Sequence, residues 1–368
     1  GYYSSDFYNH PVSFSLAYLF ELHDKSKFEL IGFSFGPEKN DEMRKRVSFA
    51  FDQFINVNLK SDKEIALLSR DLKIDIAVDL TGFTTNSRFG IFIERCAPIQ
   101  VNFLGYPGTL GSNHHDYIIA DKILIPKENQ KDYSEKIIYL TNSFLVNDST
   151  KKISKKKFSR EEFGLPKEGF VFCCFNKYYK ITPSIFGIWM KLLKKVEGSV
   201  LWLIEDNFEG VKNLQKEANQ RGVDSNRLIF ARHMPSLADH LARHKCADLF
   251  IDTIPFNAIT TANDALWAGL PVLTRTGESF SSRVGASFLS SIGLSELITK
   301  TEKEYETLAI ELATNPERLK QIKKRLEKNK LIKPLFNTKL FTKNIELAYT
   351  KIYEKYLKNL PVESIEIK

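Results

Sequence analysis

Short apolar runs alternate with segments of helical spacing along most of this chain. In the first half, runs typical of strands cover residues 28–35, 74–80, 97–109 (which ends in a tight turn) and 116–126. Apolar residues at helical spacing span 63–72, and another helix is predicted to run through Arg95. Strands that alternate with helices predict a parallel α/β sheet.

The alternation stops once and then begins again. Residues 147–157, NDSTKKISKKK, are polar and lack periodicity, so they are the best linker candidate. Beyond them, strands are predicted at 169–177, 199–206, 227–233 and 248–253, separated by helices at 181–196, 213–221 and 236–247. We therefore expect an α/β protein with domains at 1–150 and 166–335, a linker at 151–165 and a helical segment at 336–368.

The end of the chain is predicted to be helical. A charged helical stretch covers 302–329, and a helix at 342–357 presents Ile345, Leu347, Ala348, Ile352 and Tyr356 on its apolar side. Two Rossmann-like halves of similar size imply a cleft between domains. In open α/β sheets, ligands bind at the carboxyl ends of the strands.

The composition is that of a soluble globular protein, with 43% hydrophobic and 27% charged residues in 368. No apolar run reaches the roughly 18 residues of a membrane span. The first residues, GYYSSDFYNH, lack the basic and apolar regions of a signal peptide. They read as a strand entered part-way along, so we expect upstream residues to be missing and the location to be cytoplasmic.

Cysteine content and charge exclude further classes of protein. Four cysteines in so long a chain argue against a disulfide framework, and Cys173 and Cys174 are interpreted as buried thiols. Neither CxxC nor HExxH occurs, so no metal site is expected. The net charge of +8 is concentrated in lysine-rich runs at 151–160 and 323–330, which lack interleaved aromatic residues. They are interpreted as solvated faces, and nucleic-acid binding is not expected.

The most informative stretch is 252–287, DTIPFNAITTANDALWAGLPVLTRTGESFSSRVGAS. It predicts the end of a buried strand, a turn, a helix, a short strand and a second helix that starts at 278–282. Thr260 and Thr261 are candidate N-caps of the first helix, and Asp264 lies one turn further along. A helix N-terminus offers free N–H groups and a positive dipole end, so this stretch predicts a phosphate site.

Several spaced motifs resemble the catalytic region of the O-linked N-acetylglucosamine transferase family. They are SSDFYNHPVSF, PIQVNFLGYPGTLGS, DYIIAD, YSEKIIYL, FNKYYKITP, RLIFARHMPSLADHLARH, the stretch 252–287 and PLFNTKLFTKNIELAYTKIYEKY. The resemblance runs from Gly1 to about Tyr356, and the chain is similar to the bacterial branch in lacking a long insertion between the domains. Family members usually carry tetratricopeptide repeats upstream, which this sequence does not contain.

The resemblance implies a GT-B fold, with acceptor-side elements in the first domain and nucleotide-sugar contacts mainly in the second. It implies an inverting, metal-independent transfer of a sugar, N-acetylglucosamine above all, from a UDP donor to Ser or Thr of a protein acceptor. No cofactor is implied, since the UDP-sugar is a substrate. The sequence contains no Asp-x-Asp pair, so cations and helix N-termini are expected to neutralise the diphosphate.

The resemblance also implies roles for residues of the second domain. Lys180 matches the family lysine on the donor diphosphate, and Thr260 and Thr261 match its paired threonines on phosphate. Asp264 matches the acid that holds the ribose hydroxyls, and His240 matches a histidine on the nucleotide side. Without the resemblance, the residues have plainer interpretations: a surface lysine for Lys180, helix caps for Thr260 and Thr261, a helix-dipole acid for Asp264 and a packing residue for His240.

Two features of the first domain match the active site of the family. His10 matches an active-site histidine, although either His10 or a donor phosphate oxygen could take the acceptor proton. A loop matches the one under the sugar, where glycine allows close backbone approach, and as a plain alternative it is a tight turn. Its residues are Gly105, Tyr106, Pro107, Gly108 and Thr109.

Three departures from the family pattern matter, at Ile259, Lys177 and Arg275. Ile259 stands where the family usually has a histidine before the paired threonines, and Lys177 stands where it commonly has a glutamine. Lys177 is included among the expected diphosphate contacts. One hypothesis is that Lys177 or Arg275 replaces the hydrogen-bond donor that is lost at Ile259. The alternatives are a different donor sugar or weaker activity.

Two other functions stay open at this point. Ile259 motivates a nucleotide-sugar-binding protein with reduced or lost catalysis, and the same fold also serves UDP-sugar epimerases. A protein-dependent release of UDP distinguishes the transferase from both.

Overall fold

Parallel strands and helices alternate in the computed structural model, which describes all 368 residues. They form two units, the first made of Gly1–Thr150 and Pro334–Lys368 and the second of Lys151–Lys333. None of the helices combines the length and the apolar character needed to cross a membrane.

The amino-terminal part of the first unit contains seven strands and four helices. The strands are β1 (Tyr2–Ser4), β2 (Ile31–Ser34), β3 (Gln53–Asn56), β4 (Ile76–Asp79), β5 (Ile99–Asn102), β6 (Tyr117–Ala120) and β7 (Lys136–Tyr139). The helices are α1 (Pro11–Leu22), α2 (Glu42–Ala50), α3 (Asp62–Asp71) and α4 (Gly90–Ile93).

The second unit repeats the alternation. Its strands are β8 (Val171–Cys174), β9 (Val200–Ile204), β10 (Leu228–Ala231), β11 (Leu249–Ile251), β12 (Val272–Arg275) and β13 (Ile298–Thr299). Its helices are α5 (Pro183–Lys195), α6 (Phe208–Gln220), α7 (Leu237–Arg243), α8 (Thr260–Ala268), α9 (Val284–Ile292), α10 (Glu302–Thr314) and α11 (Pro316–Ile332). The chain then returns to the first unit with α12 (Thr338–Leu357) and β14 (Ile365–Glu366).

Strand order places a switch point in each sheet. The first sheet has the order β14-β7-β6-β5-β4-β1-β2-β3 and the second the order β10-β9-β8-β11-β12-β13, and all pairs are parallel. The order reverses between β1 and β4 in the first sheet and between β8 and β11 in the second. Because ligands of open α/β sheets bind where the order reverses, these two points locate the candidate sites.

Side-chain caps set where several helices begin. Ser61 and Glu64 form a capping box at α3, and Thr301 caps α10 in the same manner. Thr182 caps α5 just before Pro183, whose fixed φ suits the first helical position. By contrast, α1 is buried on most of its faces, so its apolar residues lack the one-sided spacing that predicts a surface helix.

The carboxy-terminal residues are not a separate segment, which corrects the predicted division at 336–368. The α12 helix packs on the core of α1, and β14 extends the first sheet beside β7. The buried side of α12 contains Ile345, Ala348, Tyr349 and Ile352, whereas Leu347 is 39% and Tyr356 is 46% exposed. The predicted apolar side was therefore wrong at Leu347, which lies off the i, i+3, i+4, i+7 stripe, and at Tyr356, which lies on the stripe but at the exposed end of the helix.

Candidate functional site

Polar side chains of the second unit gather at its switch point. Segment 176–180 follows β8, and segment 252–261 follows β11, the strand next to β8 in the sheet. Parallel neighbours end at the same edge, so the two segments are brought together. The predicted residues Lys180, Thr260 and Thr261 all belong to these segments.

Asp252 shapes the loop that leaves β11. Its Oδ1 accepts hydrogen bonds from the backbone N–H of Thr253 at 2.8 Å and of Ala258 at 2.6 Å, and its Oδ2 accepts one from Thr274 Oγ1 at 2.7 Å. Burial raises the pKa of Asp252 to about 6, against the hydrogen bonds that favour the charged form. The carboxylate therefore acts as the internal anchor of residues 253–258.

Asn176 joins the two segments. Its Nδ2 donates to Thr253 Oγ1 at 2.7 Å, and its Oδ1 accepts a hydrogen bond from Thr261 Oγ1. Thr253 Oγ1 in turn donates to the backbone oxygen of Phe256 at 2.6 Å. Since Asn176 is buried, this amide fixes the start of α8 against the end of β8.

Thr260 and Thr261 are not helix caps, which corrects the prediction. Ile259 occupies the N-cap position of α8, and no side chain caps this helix end. The Thr261 hydroxyl is committed to Asn176, whereas the Thr260 hydroxyl is half-exposed and has no hydrogen-bond partner. The first N–H groups of α8 and the Thr260 hydroxyl therefore remain available as donors.

The predicted second helix starts later than expected. Ser279 caps a short 3-10 turn at Phe280–Ser282, and α9 begins at Val284. The backbone N–H of Gly285, at the start of α9, donates to Asn257 Oδ1 at 3.2 Å. That end of α9 therefore holds the loop in place.

Lys180 lies beside the start of α8. Its Nζ donates to the backbone oxygen of Asn257 at 3.0 Å and lies 3.8 Å from the centre of the Phe256 ring. It makes no ion pair with any carboxylate. Burial lowers the pKa of Lys180 to about 8, partly offset by the nearby Asp252 and Cys174. An ammonium without a counter-charge next to free N–H groups is an anion-binding arrangement.

Asp264 pairs with a lysine that the sequence assigned to a solvated linker. Lys151 Nζ lies 3.2 Å from Asp264 Oδ1, and the two side chains are only 6% and 8% exposed. Trp267 Nε1 also donates to the backbone oxygen of Lys151 at 3.2 Å. The interpretation of the whole 151–160 run as a solvated face is therefore wrong at Lys151.

His240 is held as a neutral ring on α7. Arg243 Nη2 donates to His240 Nδ1 at 2.7 Å, so the proton of the neutral ring is on Nε2. Burial, followed by the charges of His244 and Arg243, lowers the pKa of His240 to about 2. Arg243 itself lies over the Phe175 ring at 4.5 Å and donates to the backbone oxygen of Arg232 at 2.7 Å.

The two cations suggested to compensate for Ile259 each pair with a carboxylate. Lys177 Nζ contacts Asp206 Oδ1, and Arg275 Nη1 lies 3.0 Å from Glu302 Oε1. Lys177 is exposed, so its ion pair is screened by solvent and exchangeable. A ligand phosphate would have to share either cation with its acid.

The first unit brings His10 to the carboxyl end of β1. His10 is the N-cap of α1, and its Nδ1 accepts the backbone N–H of Val12 at 3.4 Å. Asp6 Oδ2 lies 3.8 Å from the same nitrogen. Burial lowers the pKa of His10 and raises that of Asp6, and each charge opposes the shift of the other. The Val12 N–H favours the tautomer with the proton on Nε2, whereas the Asp6 carboxylate favours a proton on Nδ1.

The predicted sugar-side loop follows β5 and is anchored from below. A Cβ on Gly105 would lie 2.1 Å from the backbone oxygen of Leu80, so no larger residue fits there. Asn102 Nδ2 donates to the backbone oxygen of Gly108 at 3.1 Å. Thr109 Oγ1 donates to the buried Glu135 at 2.5 Å, so this hydroxyl is an anchor of the loop. Tyr106 and Pro107 form the outer part, where both are half-buried.

Several residues of these clusters were not predicted. Asn176, Asp252, Lys151 and Arg243 in the second unit, and Asp6 in the first, hold the predicted side chains in place. For Asn176, Asp252 and Asp6 the signal was available, because a polar residue directly after a buried strand lies at the ligand-binding edge.

A cavity of about 850 Å³ lies elsewhere in the second unit. Phe170 and Val196, which precede β8 and β9, belong to its lining. Asp248 pairs there with Arg160 at 2.8 Å and with Lys323 at 3.4 Å, so both of these cations already have a carboxylate partner. The carboxyl-end cluster, with its unpaired ammonium, is the better candidate for an anionic ligand.

Two curated proteins are similar to this chain over nearly its whole length. A probable UDP-N-acetylglucosamine–peptide N-acetylglucosaminyltransferase, SEC of Arabidopsis thaliana, is 35% identical over 359 residues, which cover 96% of this chain and 37% of the plant protein. The UDP-N-acetylglucosamine–peptide N-acetylglucosaminyltransferase of Caenorhabditis elegans is 25% identical over 481 residues, covering 99% of this chain and 41% of that protein. The chain therefore spans about two fifths of the length of these curated relatives.

Solved structures show the same fold. An O-GlcNAc transferase mutant of Thermobaculum terrenum superposes with a TM-score of 0.89 and 28% identity, over 98% of this chain and 68% of that one. HepE of Anabaena, solved with UDP and glucose, gives a TM-score of 0.61 at 14% identity, covering 95% of this chain and 98% of that one, which supports the fold alone.

Two parallel α/β units with these structural relatives define the GT-B fold class. A sequence profile described as glycosyl transferase family 41 matches residues 1–158 and 156–345. The chain belongs to glycosyl transferase family 41, and the predicted fold class and family are confirmed.

Proposed function

We propose that this chain transfers a sugar, N-acetylglucosamine above all, from a UDP donor to Ser or Thr hydroxyls of protein acceptors, with inversion and without a metal. The observation that carries the proposal is the unpaired ammonium of Lys180 beside the uncapped start of α8. The names of the relatives support the donor and the peptide acceptor.

In this proposal the donor diphosphate lies between Lys180 and the start of α8. The ammonium, the Thr260 hydroxyl and the first N–H groups of α8 supply the positive charge and the hydrogen bonds. Charge on the β-phosphate grows as the bond to the sugar breaks, so donors already in place favour the transition state. This neutralisation takes the part that a divalent cation plays in other glycosyltransferases, and no cofactor is proposed.

The nucleoside is proposed to lie towards Asp264 and His240. Asp264 Oδ1 is engaged by Lys151, so the ribose hydroxyls would donate to the remaining lone pairs of this carboxylate. His240 would donate from Nε2, because Arg243 occupies its Nδ1. Lys177 is proposed as an outer diphosphate contact that exchanges Asp206 for the ligand.

On the acceptor side, the hydroxyl oxygen attacks the anomeric carbon while the bond from that carbon to the β-phosphate oxygen breaks and UDP leaves. The hydroxyl proton is proposed to go to a phosphate oxygen of the donor. His10 is suited to donating a hydrogen bond from Nε2, since Nδ1 already accepts the N–H of Val12. Residues 105–108 of the anchored loop are proposed to lie under the sugar.

The test is intact-mass analysis of cellular proteins incubated with the purified chain and a panel of UDP-sugars. We expect a mass gain of one N-acetylhexosamine on Ser- or Thr-containing proteins, with stoichiometric UDP, at a rate that EDTA changes by less than about twofold. UDP binding without a mass gain would instead indicate a binding protein, and sugar isomerisation without an acceptor would indicate an epimerase. A rate that collapses in EDTA would contradict metal independence.

The two threonines are expected to differ when each is changed to the isosteric valine. Thr260→Val removes a free donor, so the affinity for UDP should fall about tenfold or more while the free energy of unfolding stays unchanged. Thr261→Val leaves the buried Asn176 oxygen without its donor, so the free energy of unfolding should fall by about 1–3 kcal/mol. Calorimetry with UDP and denaturant titrations measure the two quantities. Equal effects of both changes would contradict the assignment.

A further inference from the structure

The ammonium of the half-buried Lys180 has few polar partners. Its ammonium has one hydrogen-bond acceptor, the backbone oxygen of Asn257 at 3.0 Å, and no ion pair. Its other close electrostatic partner is the face of the Phe256 ring, whose centre is 3.8 Å from Nζ. A cation at this distance lies within the range of a cation–π contact.

The Phe256 ring is itself held in place. The backbone oxygen of Phe256 accepts the Thr253 hydroxyl at 2.6 Å, and the loop on both sides is fixed by Asp252. Tyr179 packs edge-on against the ring, with centroids 6.1 Å apart. The ring face is therefore a fixed surface against which the ammonium rests.

We propose that Phe256 is a positioning residue for Lys180, and that its ring keeps the ammonium charged and aimed at the donor diphosphate without neutralising it. This proposal rests on the proposed role of Lys180 in donor binding. Phe256 is proposed to act through Lys180.

The choice of an aromatic partner has a chemical consequence. A carboxylate at this place would hold the ammonium more strongly, but the arriving phosphate would then have to displace it. A ring face attracts the cation through its quadrupole and carries no net charge, so the full charge of Lys180 stays available to the phosphate. The ring thus supplies the stabilisation that burial removes, and no acid competes with the ligand.

The titration of Lys180 supports the same arrangement. Burial lowers its pKa to about 8, and the titratable groups that face it are Asp252 at the end of β11 and the Cys174 thiol of β8, both of which favour the charged form. Asp252 makes no ion pair with the ammonium, so the contacts that oppose its desolvation are the Asn257 oxygen at 3.0 Å and the Phe256 ring at 3.8 Å.

The experiment is an NMR titration of protein labelled with 13C at the lysine ε carbon, with the Lys180 signal assigned by its loss in Lys180→Arg. Phe256→Leu keeps an apolar side chain and removes the ring, Phe256→Met is a second variant of the same kind, and Phe256→Tyr restores a ring. The matched control is Phe208→Leu, because Lys212 lies 4.1 Å from that exposed ring on α6, outside segments 176–180 and 252–261.

We expect Phe256→Leu and Phe256→Met to lower the Lys180 midpoint by about half a pH unit or more and to weaken UDP binding about three- to tenfold. Phe256→Tyr should stay close to the wild type in both measurements, and Phe208→Leu should leave the Lys180 titration unchanged. An unchanged midpoint in Phe256→Leu or Phe256→Met, or a Phe256→Tyr variant as weak as Phe256→Leu, would overturn the proposal.

The titration needs no transferase activity, so it separates this proposal from the proposed function. A shifted midpoint in a protein that transfers no sugar would leave the role of Phe256 standing and contradict the function. An unchanged Lys180 midpoint in the Phe256 variants of an active enzyme would contradict the role of Phe256 and leave the proposed function standing.

Discussion

Replacing Lys180 with alanine is expected to lower kcat for sugar transfer by about 100- to 1,000-fold, the range seen when one preorganised donor to developing charge is removed. The affinity for UDP should fall much less, because the start of α8 and Thr260 still bind the diphosphate. Steady-state kinetics and calorimetry with UDP measure the two effects. Lys212→Ala, which removes an ammonium from another aromatic contact of the same unit, is the control. Equal losses in kcat and in UDP affinity would contradict a role that grows in the transition state.

The same lysine predicts a pH dependence. Because burial lowers the pKa of Lys180 to about 8, the ammonium loses its proton as the pH rises through that value. As far as Lys180 is concerned, transferase activity should therefore be at its maximum below pH 7 to 7.5 and should decline above about pH 8. Lys180→Arg keeps its charge throughout this range, so any residual activity of that variant should lack the alkaline decline. A wild-type profile that stays flat to pH 10 would contradict the assignment.

The second large effect is expected at the buried pair of Asp264 and Lys151. Asp264→Asn leaves the Lys151 ammonium, which is 6% exposed, without its counter-charge, so the free energy of unfolding should fall by about 3–5 kcal/mol. The double variant Lys151→Met, Asp264→Asn removes both charges and should recover most of that loss. Denaturant titrations of the wild type, the single variants and the double variant provide the cycle.

The double variant also separates stability from ligand binding. If Asp264 accepts hydrogen bonds from the ribose, UDP affinity should remain low in Lys151→Met, Asp264→Asn even though the protein is stable again. A double variant that binds UDP as the wild type does would show that Asp264 serves only to neutralise Lys151. No recovery of stability in the double variant would show that the pair is not the source of the loss.

Local sequence patterns predicted much of the two sheets. The apolar runs at 74–80, 169–177 and 248–253 contain β4, β8 and β11, because short buried strands need uninterrupted apolar residues. The polar residues that follow these runs, including the Asn176–Lys180 segment, lie at the carboxyl ends of strands, where ligands of open α/β sheets bind. The family resemblance then assigned roles to Lys180, Thr260 and Asp264, which the fold brings to one switch point.

Helix ends and side-chain partners were predicted less well. Thr260 and Thr261 have the composition of caps, but the loop geometry fixed by Asp252 places Ile259 at the cap position. Lys151 has the sequence context of a solvated linker, yet it finds Asp264 across 113 positions of the chain. A short window of sequence contains only one of the two partners of such a contact.

By itself, the sequence determined the alternation of strands and helices, the two α/β halves and the family, since periodicity and spaced motifs are properties of neighbouring residues. The tertiary structure decided which donors are free. The Thr261 hydroxyl donates to Asn176, and Lys177 pairs with Asp206. By contrast, the Thr260 hydroxyl has no partner, and the Lys180 ammonium contacts the Phe256 ring without pairing with a carboxylate. Availability depends on hydrogen bonds and burial between distant residues, and these exist only once the sheet has placed β8 beside β11.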